Sequence, residues 1–272
     1  MSSKVTAKLP LGAACSVLFI SLALLAGCKQ EAPVDNNSYA PPGYGASVGP
    51  LTDTVWKNGS DTIKFGAEGK VTTVPSSWKK YEEPKTGFVE YGDFTYGKDF
   101  SEYTIYAKVT DVQIDDPLMQ TILDIKKGDI NKHATFTVPR TASIQIPNEY
   151  GSSTTQKKYY YEMEVKIGDE YTSFTMENKP NSEDKFVGTY YDEQGRKEIQ
   201  INKDGTFVQF TDGSQSIQYW KYNSDGTISV QSTPFTDNPG SMGSSTSTSS
   251  TIYYLYPHAL MRDGSSSPVA YK

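Results

Sequence analysis

The chain is poor in the residues from which catalytic and metal centres are built. Its 272 residues include two histidines, His133 and His258, and two cysteines. A zinc site needs several histidine, cysteine or carboxylate ligands at suitable spacing, and neither histidine has such neighbours. Cys15 lies in an apolar run near the N-terminus, so the rest of the chain has a single thiol. The sequence predicts no catalytic residues, no metal and no cofactor, and we interpret both histidines as surface residues.

Positive charge is also scarce, and it is not clustered. The 26 basic side chains are outnumbered by 32 acidic ones, and the formal net charge is −6. Binding to a nucleic-acid backbone depends on a patch or stripe of cations, so we expect no nucleic-acid partner. Runs of Leu, Ala and Glu, which are typical of long helices, are scarce after residue 27. The 20 Tyr and 11 Phe residues instead favour strands.

The first 27 residues have the layout of a secretory signal peptide. Lys4 and Lys8 form a positively charged start, and an almost unbroken apolar run follows from Leu11 to Leu25. A permanent membrane-spanning helix needs about 20 apolar residues, and this run is shorter. We therefore expect residues 1–27 to be removed on export.

The segment Leu25-Ala26-Gly27-Cys28 resembles the bacterial lipobox. In lipoproteins with this motif, a diacylglyceryl group is added to the cysteine sulfur, and the chain is cut before that cysteine. The resemblance implies that Cys28 carries a lipid that anchors the protein in the cell envelope, because two or three acyl chains hold durably. Lys29 is not the aspartate that retains enterobacterial lipoproteins in the inner membrane, so the outer membrane or the cell surface is expected. An ordinary secretory signal with an incidental cysteine is the alternative.

Composition divides the remaining chain into further parts. Residues 28–50 are rich in Pro, Gly, Asn and Ser, as expected for a lipidated flexible tether. Residues 51–178 and 186–272 each contain strand-like runs separated by turn signals, and we expect one β unit in each. The polar segment 179–185 is predicted to link the two units.

Apolar and polar residues alternate through both units, which predicts many short strands. Residues 157–167 are one predicted strand of the first unit, and residues 117–127 are its one predicted helix, with Gly128 as the end. Asp204-Gly205 and Asp225-Gly226 fall between strands of the second unit, where tight hairpins favour such pairs. We expect an all-β protein of antiparallel meander barrels in two tandem units, with at most one short helix in the first.

The start of the second unit resembles that of bacterial lipocalin-like domains. Gly188-Thr189-Tyr190 stands where those domains carry Gly-x-Trp on the first strand, and a strand, an Asp-Gly turn and another strand follow over 199–207. Tyr190 departs from the usual Trp, whereas Trp56 takes the corresponding place in the first unit. In lipocalins a late Arg covers this aromatic, and Arg262 is expected to do so here. The resemblance implies an up-and-down barrel whose interior can hold an apolar ligand.

Pairs of adjacent carboxylates are the remaining candidates for chemistry: Glu82-Glu83, Asp115-Asp116 and Asp192-Glu193. Glycoside hydrolysis needs two carboxyl groups that face each other across the substrate, whereas neighbours on a strand point to opposite faces. We interpret these pairs as solvated surface charge. The turns at 202–205 and 223–226 resemble fragments of calcium loops, but hairpin formation accounts for both.

Tyrosine carries the clearest functional signal in the mature chain. Tyr159, Tyr160 and Tyr161 lie within one predicted strand, so their rings must face both sides of the sheet. Exposed Tyr and Trp are favoured contacts to proteins and sugars, although Tyr also replaces Phe or Val as a strand former. The candidate binding aromatics are Tyr159, Tyr161, Tyr190, Trp220 and Tyr254.

These features rank three classes of function. The leading hypothesis is a membrane-anchored, non-catalytic binding lipoprotein that takes a small apolar ligand in a barrel or a glycan on exposed aromatics. The alternative is a component of envelope assembly or surface adhesion that binds another protein. A glycan-active hydrolase ranks last. A barrel packed with side chains would argue against the small ligand, and an open apolar cavity would favour it.

Overall fold

The computed structural model describes five ranges of the chain: residues 49–83, 87–99, 102–149, 151–235 and 249–272. The predicted signal peptide, Cys28 and most of the predicted tether lie outside them. The described residues form β-strands that pair antiparallel throughout, together with one α-helix. The predicted all-β class and the single short helix in the first unit are therefore confirmed. In the described ranges, no helix combines the length and apolar character needed to cross a bilayer.

The described residues of the first unit form eleven strands. They are β1 (Val55–Asn58), β2 (Asp61–Phe65), β3 (Val71–Thr73), β4 (Lys80–Glu83), β5 (Gly87–Asp99), β6 (Glu102–Ile114), β7 (Ile130–Thr137), β8 (Arg140–Asn148), β9 (Gly151–Tyr159), β10 (Glu162–Ile167) and β11 (Glu170–Met176). Nine of them form one sheet, here called the curled sheet, in the order β3-β2-β1-β11-β10-β7-β6-β5-β4. β1 pairs with β11, as the first and last strands of an up-and-down barrel do.

The curled sheet is open along one seam, between β3 and β5. A single bridge joins Lys70 to Thr95 there, and the Tyr96 N–H donates to the Gly69 carbonyl at 2.7 Å. The chain passes from β3 to β4 through a 3₁₀ turn, Ser76–Trp78. The sheet is therefore a half-barrel whose two ends touch at one point.

The second unit is a closed eight-stranded barrel, here called the barrel. Its strands are β12 (Gly188–Tyr191), β13 (Lys197–Ile201), β14 (Thr206–Thr211), β15 (Ser214–Tyr222), β16 (Ile228–Gln231), β17 (Thr251–Leu255), β18 (Ala259–Arg262) and β19 (Ala270–Tyr271). They follow one another in chain order, and Tyr271 of β19 pairs with Tyr191 of β12. Fully buried side chains, among them Tyr190, Phe207 and Leu260, occupy the space inside.

Two turns of the barrel are built alike on the pattern Asn-x-Asp-Gly-Thr. In the first, the backbone N–H and the hydroxyl of Thr206 both donate to Asp204 Oδ1, at 2.9 and 2.6 Å. Asn223–Thr227 repeats these bonds. Gly205 has φ of +84°, a conformation that glycine adopts without steric cost. The aspartate oxygens are thus used within the turns, as the hairpin interpretation predicts.

The α-helix of the described residues, α1, spans Pro117–Leu123 and is shorter than predicted. Asp116 Oδ1 accepts the Leu118 N–H at 2.8 Å, and Pro117 occupies the first helical position, which fixes the start. Asp124 adopts the left-handed conformation at φ of +42° and ends the helix. The predicted end at Gly128 is therefore wrong, because an aspartate takes that role four residues earlier.

The strand predicted over 157–167 is two strands, and Tyr160 and Tyr161 lie in the turn between them. β9 pairs with β8 in a separate two-stranded hairpin. Arg140 ties the base of this hairpin to β10, because its Nε and Nη2 both donate to Glu162 Oε2, at 2.8 and 2.6 Å. The three consecutive tyrosines therefore do not share a strand.

The barrel packs its outer face against the curled sheet. On β17, Tyr253 and Leu255 point into the barrel, and Tyr254 between them points outward into the core of the curled sheet. The Tyr161 hydroxyl donates to the Gly226 carbonyl at 2.7 Å and accepts the Leu255 N–H at 3.2 Å. The two units therefore share an apolar core and form a continuous packed body.

Candidate functional site

Four of the five candidate binding aromatics are packed inside the molecule. Tyr161, Tyr190, Trp220 and Tyr254 are 4, 0, 7 and 2 % exposed. Tyr190 donates from its hydroxyl to the Phe186 carbonyl at 2.6 Å, and Trp220 Nε1 donates to the Asn202 carbonyl at 2.8 Å. These four rings contribute to packing and offer little surface to a ligand.

Tyr159, the fifth candidate, is half-buried at the base of the β8–β9 hairpin. The Arg140 guanidinium lies 4.3 Å from the centre of its ring, and Lys157 lies 5.0 Å away. Its ring is therefore already in contact with cationic side chains of its own hairpin.

The basic residue that covers the first-strand aromatic of the barrel is Lys272, not Arg262. Lys272 Nζ lies 5.5 Å from the centre of the Tyr190 ring and donates to the carbonyls of Lys185 and Val187, at 2.5 and 3.4 Å. Burial lowers the pKa of Lys272. Arg262 is exposed at the end of β18.

One carboxylate of each adjacent pair has a local partner. Lys80 Nζ lies 3.7 Å from Glu82 Oε1, and Asp116 caps α1. Asp192 Oδ1 accepts the backbone N–H groups of Gln194 and Arg196, at 2.9 and 2.7 Å. The side chain of Glu83 lies outside the described residues. These contacts fit a role in turns and surface ion pairs.

A cavity of about 530 Å³, here called the cup, opens at the end of the curled sheet farthest from the barrel. Its floor and walls are Trp78, Tyr91, Asn131, His133, Val165 and Phe174. The position follows from β10, which begins beside Tyr161 at the barrel and ends at Ile167 on the edge of the cup. At about 3.3 Å per residue, the two ends of β10 are about 17 Å apart.

A β-bulge brings His133 into the wall of the cup. Ile105 of β6 pairs with Ala134 of β7, but the next residue, Tyr106, pairs with Lys132. His133 is thus the extra residue on β7. A bulge of this kind re-aims a side chain, and His133 joins Ala134 on the inner side of the sheet.

Three aromatic rings surround the His133 imidazole. The ring centres of Trp78, Tyr91 and Phe94 lie 5.5, 5.2 and 5.3 Å from that of His133. Burial disfavours the charged imidazolium and lowers the pKa of His133 from 6.5 to about 4. His133 is therefore a neutral, half-buried residue at neutral pH, and its interpretation as a surface residue is wrong.

Asn131 also lines the cup, two residues before His133. Its Nδ2 is buried and has no hydrogen-bond partner among the described residues. A buried donor without a partner costs about 1–3 kcal/mol of stability, so such groups are uncommon outside functional positions. An acceptor on a bound molecule would give this donor the partner that it lacks among the described residues.

The rim of the cup is polar and carries both signs of charge. Asp61 and Glu170 face it together with Lys80 and Lys132. Apolar side chains interrupt this ring of charge, and the most prominent is Tyr81, which is 52 % exposed. An apolar floor with a few polar groups at the walls and rim is the usual form of a small-molecule site.

Two isoleucines add to the apolar lining of the cup. Ile125 lies just after α1. Ile167 lines the cup from the end of β10. The entrance is therefore more apolar than its four charges alone indicate.

A second depression, of about 580 Å³, lies along β7 and β10. Glu102, Thr137, Glu164, Lys166 and Tyr171 contribute to its surface. Its walls are mainly polar and charged, so it lacks the apolar floor of the cup and is the weaker candidate.

Reasoning from the sequence missed the cup. Trp78, Tyr81 and Tyr91 stand apart along the chain, whereas the candidates came from runs of neighbouring tyrosines and from the strands of the barrel. Asn131 and His133 gave no signal, because in the sequence of β7 they alternate in step with Thr135 and Thr137 and therefore read as part of its polar face.

The chain shows no significant match to protein-family models, to curated proteins or to solved structures.

Proposed function

We propose that this protein is a membrane-anchored envelope lipoprotein with a non-catalytic binding role, and that the cup holds its ligand. The observation that carries the proposal is a cavity with aromatic walls and a buried donor, Asn131 Nδ2, that has no described partner. Buried side chains of the described residues occupy the interior of the barrel. The proposed site for a small ligand is therefore the cup in the curled sheet and not the interior of the barrel.

The proposed anchor at Cys28 precedes the described part of the chain. The described chain begins at Gly49, and Asp53 Oδ2 lies 2.7 Å from Nε2 of His258 in the barrel. A lipid at Cys28 would hold this fold at the outer membrane or the cell surface.

A binding role suits His133 better than a catalytic one. A general base needs a partner that orients it and stabilises its charged form. The rings around His133 are those of Trp78, Tyr91 and Phe94, and this apolar environment keeps the imidazole neutral.

The β8–β9 hairpin favours a second candidate function, the binding of another protein in envelope assembly or adhesion. Within the described residues, the two strands pair only with each other, and most of their residues are exposed. An isolated hairpin is marginally stable in water, so an added partner strand would stabilise it.

The cup can be tested with N-phenyl-1-naphthylamine, a neutral aromatic probe that fluoresces in apolar surroundings. Thr172 of β11 lines the cup, and Ser173 points to the other face of the same strand. We expect saturable binding by the native protein, loss of binding in Thr172→Trp and retained binding in Ser173→Trp. Equal binding by the two variants, or no saturable binding by the native protein, would contradict the proposal.

Anchoring is tested separately by fractionation of cells that express the full chain. We expect Cys28→Ala to move the protein from the membrane fraction to the soluble fraction. An unchanged membrane fraction would overturn the lipid anchor and leave the binding test unaffected.

A further inference from the structure

The aromatic rings of the cup extend from its floor to its rim. Trp78 and Phe174 lie at the floor, Tyr91 forms a wall and Tyr81 stands exposed at the edge. Such rings give a ligand broad, rigid contact surfaces, and tyrosine adds a polar tip. A flat molecule with one apolar face, such as a pyranose ring, fits this arrangement.

The charges of the cup argue for an uncharged ligand. Asp61 and Glu170 balance Lys80 and Lys132 at the rim, so neither an anion nor a cation is favoured there. Deeper in the cup the polar groups of the described side chains are an amide and a neutral imidazole. A charged group placed among them would lose its hydration without an opposite charge.

Asn131 requires that the ligand carry a good acceptor near an apolar group. Its Nδ2 is buried without a described partner, and the Tyr91 ring lies on the same cavity. An amide carbonyl with a methyl group supplies both the acceptor and the apolar contact. A plain hydrocarbon would leave Asn131, His133 and the rim charges desolvated without hydrogen bonds.

We infer that the cup binds an uncharged sugar that bears an N-acyl group, such as N-acetylglucosamine; this inference rests on the proposed binding function. The acyl carbonyl accepts from Asn131 Nδ2, and the acyl methyl contacts the aromatic wall. The pyranose ring lies against Tyr81, and its hydroxyls meet the rim groups of Asp61, Lys80 and Thr172.

The two histidines of the chain give a direct readout of this binding. The imidazole C–H signals of the full protein are recorded by NMR during titration with N-acetylglucosamine, and His133→Gln identifies the signals of His133. We expect a saturable shift of the His133 signals. Glucose and glucosamine should bind at least about tenfold more weakly, which corresponds to about 1.4 kcal/mol.

A pair of variants distinguishes an effect on sugar binding from an effect on stability. Asn131→Leu removes a donor that has no described partner, so we expect about tenfold weaker binding of N-acetylglucosamine with no fall in Tm. Asn223→Leu is the control, because it removes bonds to Thr227 and Ser229 in a barrel turn. It should lower Tm and leave the affinity for the sugar unchanged.

The outcomes distinguish this inference from the proposed function. Equal binding of the three sugars, or unchanged affinity in Asn131→Leu, would overturn the role of the N-acyl group. If N-phenyl-1-naphthylamine binds and Thr172→Trp blocks it, while no sugar shifts His133, the sugar inference fails and the binding function stands. If neither the sugars nor the probe bind, both fail.

Discussion

The curled sheet and the barrel are both built from antiparallel strands, but the barrel is closed and the curled sheet is open. In the barrel, consecutive strands pair in order, and one register shift occurs, at Tyr190/Tyr191. The curled sheet has shifts in the β2–β3, β5–β6 and β6–β7 pairs and an open seam. Regular pairing seals the barrel around its own side chains, whereas bulges and the seam leave the curled sheet room for a cavity.

The two units also begin alike. Trp56 on β1 and Tyr190 on β12 are both fully buried. Trp56 Nε1 donates to Thr54 Oγ1 at 2.8 Å, and the Tyr190 hydroxyl donates to the Phe186 carbonyl at 2.6 Å. Each ring thus finds its partner in the segment just before its strand. The two units therefore share the arrangement at their first strands and differ in how their later strands pair.

The largest expected effect is on the free energy of unfolding, and it compares a ring inside the barrel with a ring at the cup. Phe207→Ala empties space inside the barrel and should lower the free energy of unfolding by about 3–5 kcal/mol. Tyr91→Ala removes a half-buried ring that borders an existing cavity and should cost only about 1–2 kcal/mol. Urea denaturation measures both values. Equal losses would mean that the cup is as tightly packed as the barrel.

A smaller effect is expected where the two units meet. Gly226 has φ of +89°, and an added Cβ would lie 3.0 Å from the Tyr161 ring and 3.1 Å from the Pro180 carbonyl. Gly213 has φ of +81° on the far side of the barrel, with no atom within 4 Å of such a Cβ. We expect Gly226→Ala to cost about 2–3 kcal/mol and Gly213→Ala about 1 kcal/mol. Similar melting temperatures would contradict the tight contact at Gly226.

The smallest expected effect concerns pH. The native pKa of His133 is lowered to about 4, below the ordinary 6.5, so the unfolded chain binds more protons between these values. Stability therefore falls as pH drops from 6.5 towards 4 and gains nothing further from His133 above 6.5. A native pKa of about 4 corresponds to a loss of at most about 2.5 kcal/mol between pH 7 and pH 4.5, and solvent screening reduces it because the imidazole is only partly buried. Urea denaturation at pH 7 and pH 4.5 measures this loss of stability in the native protein and in His133→Gln. The variant should lose less stability than the native protein between the two pH values. An identical pH dependence in both proteins would contradict the prediction.

The sequence predicted much of the fold because strand alternation and Asp-Gly turns are local signals. Alternation predicts strands over residues 61–65 and 206–211, and β2 and β14 occupy those residues. β4 and β18 were missed, since four-residue strands with charged or mixed side chains show no alternation. The early end of α1 depended on Asp124 in a left-handed conformation, which aspartate adopts only in some contexts.

The candidate site could not be predicted from the sequence, for a different reason. His133 enters the cup because β7 has one residue more than β6 between two paired positions, and a register of this kind exists only after the strands pair. Lys272 covers Tyr190 because the barrel closes and brings β19 beside β12. Both contacts depend on tertiary closure, which no short segment encodes.

The measurement that tests the account most directly is the pKa of His133 in the native protein, followed by NMR of its imidazole signals. The account places this ring among Trp78, Tyr91 and Phe94 at the wall of a water-poor cavity, and it predicts a pKa of about 4. A pKa near the ordinary 6.5 would place the imidazole in water and contradict the cup on which the proposed function depends.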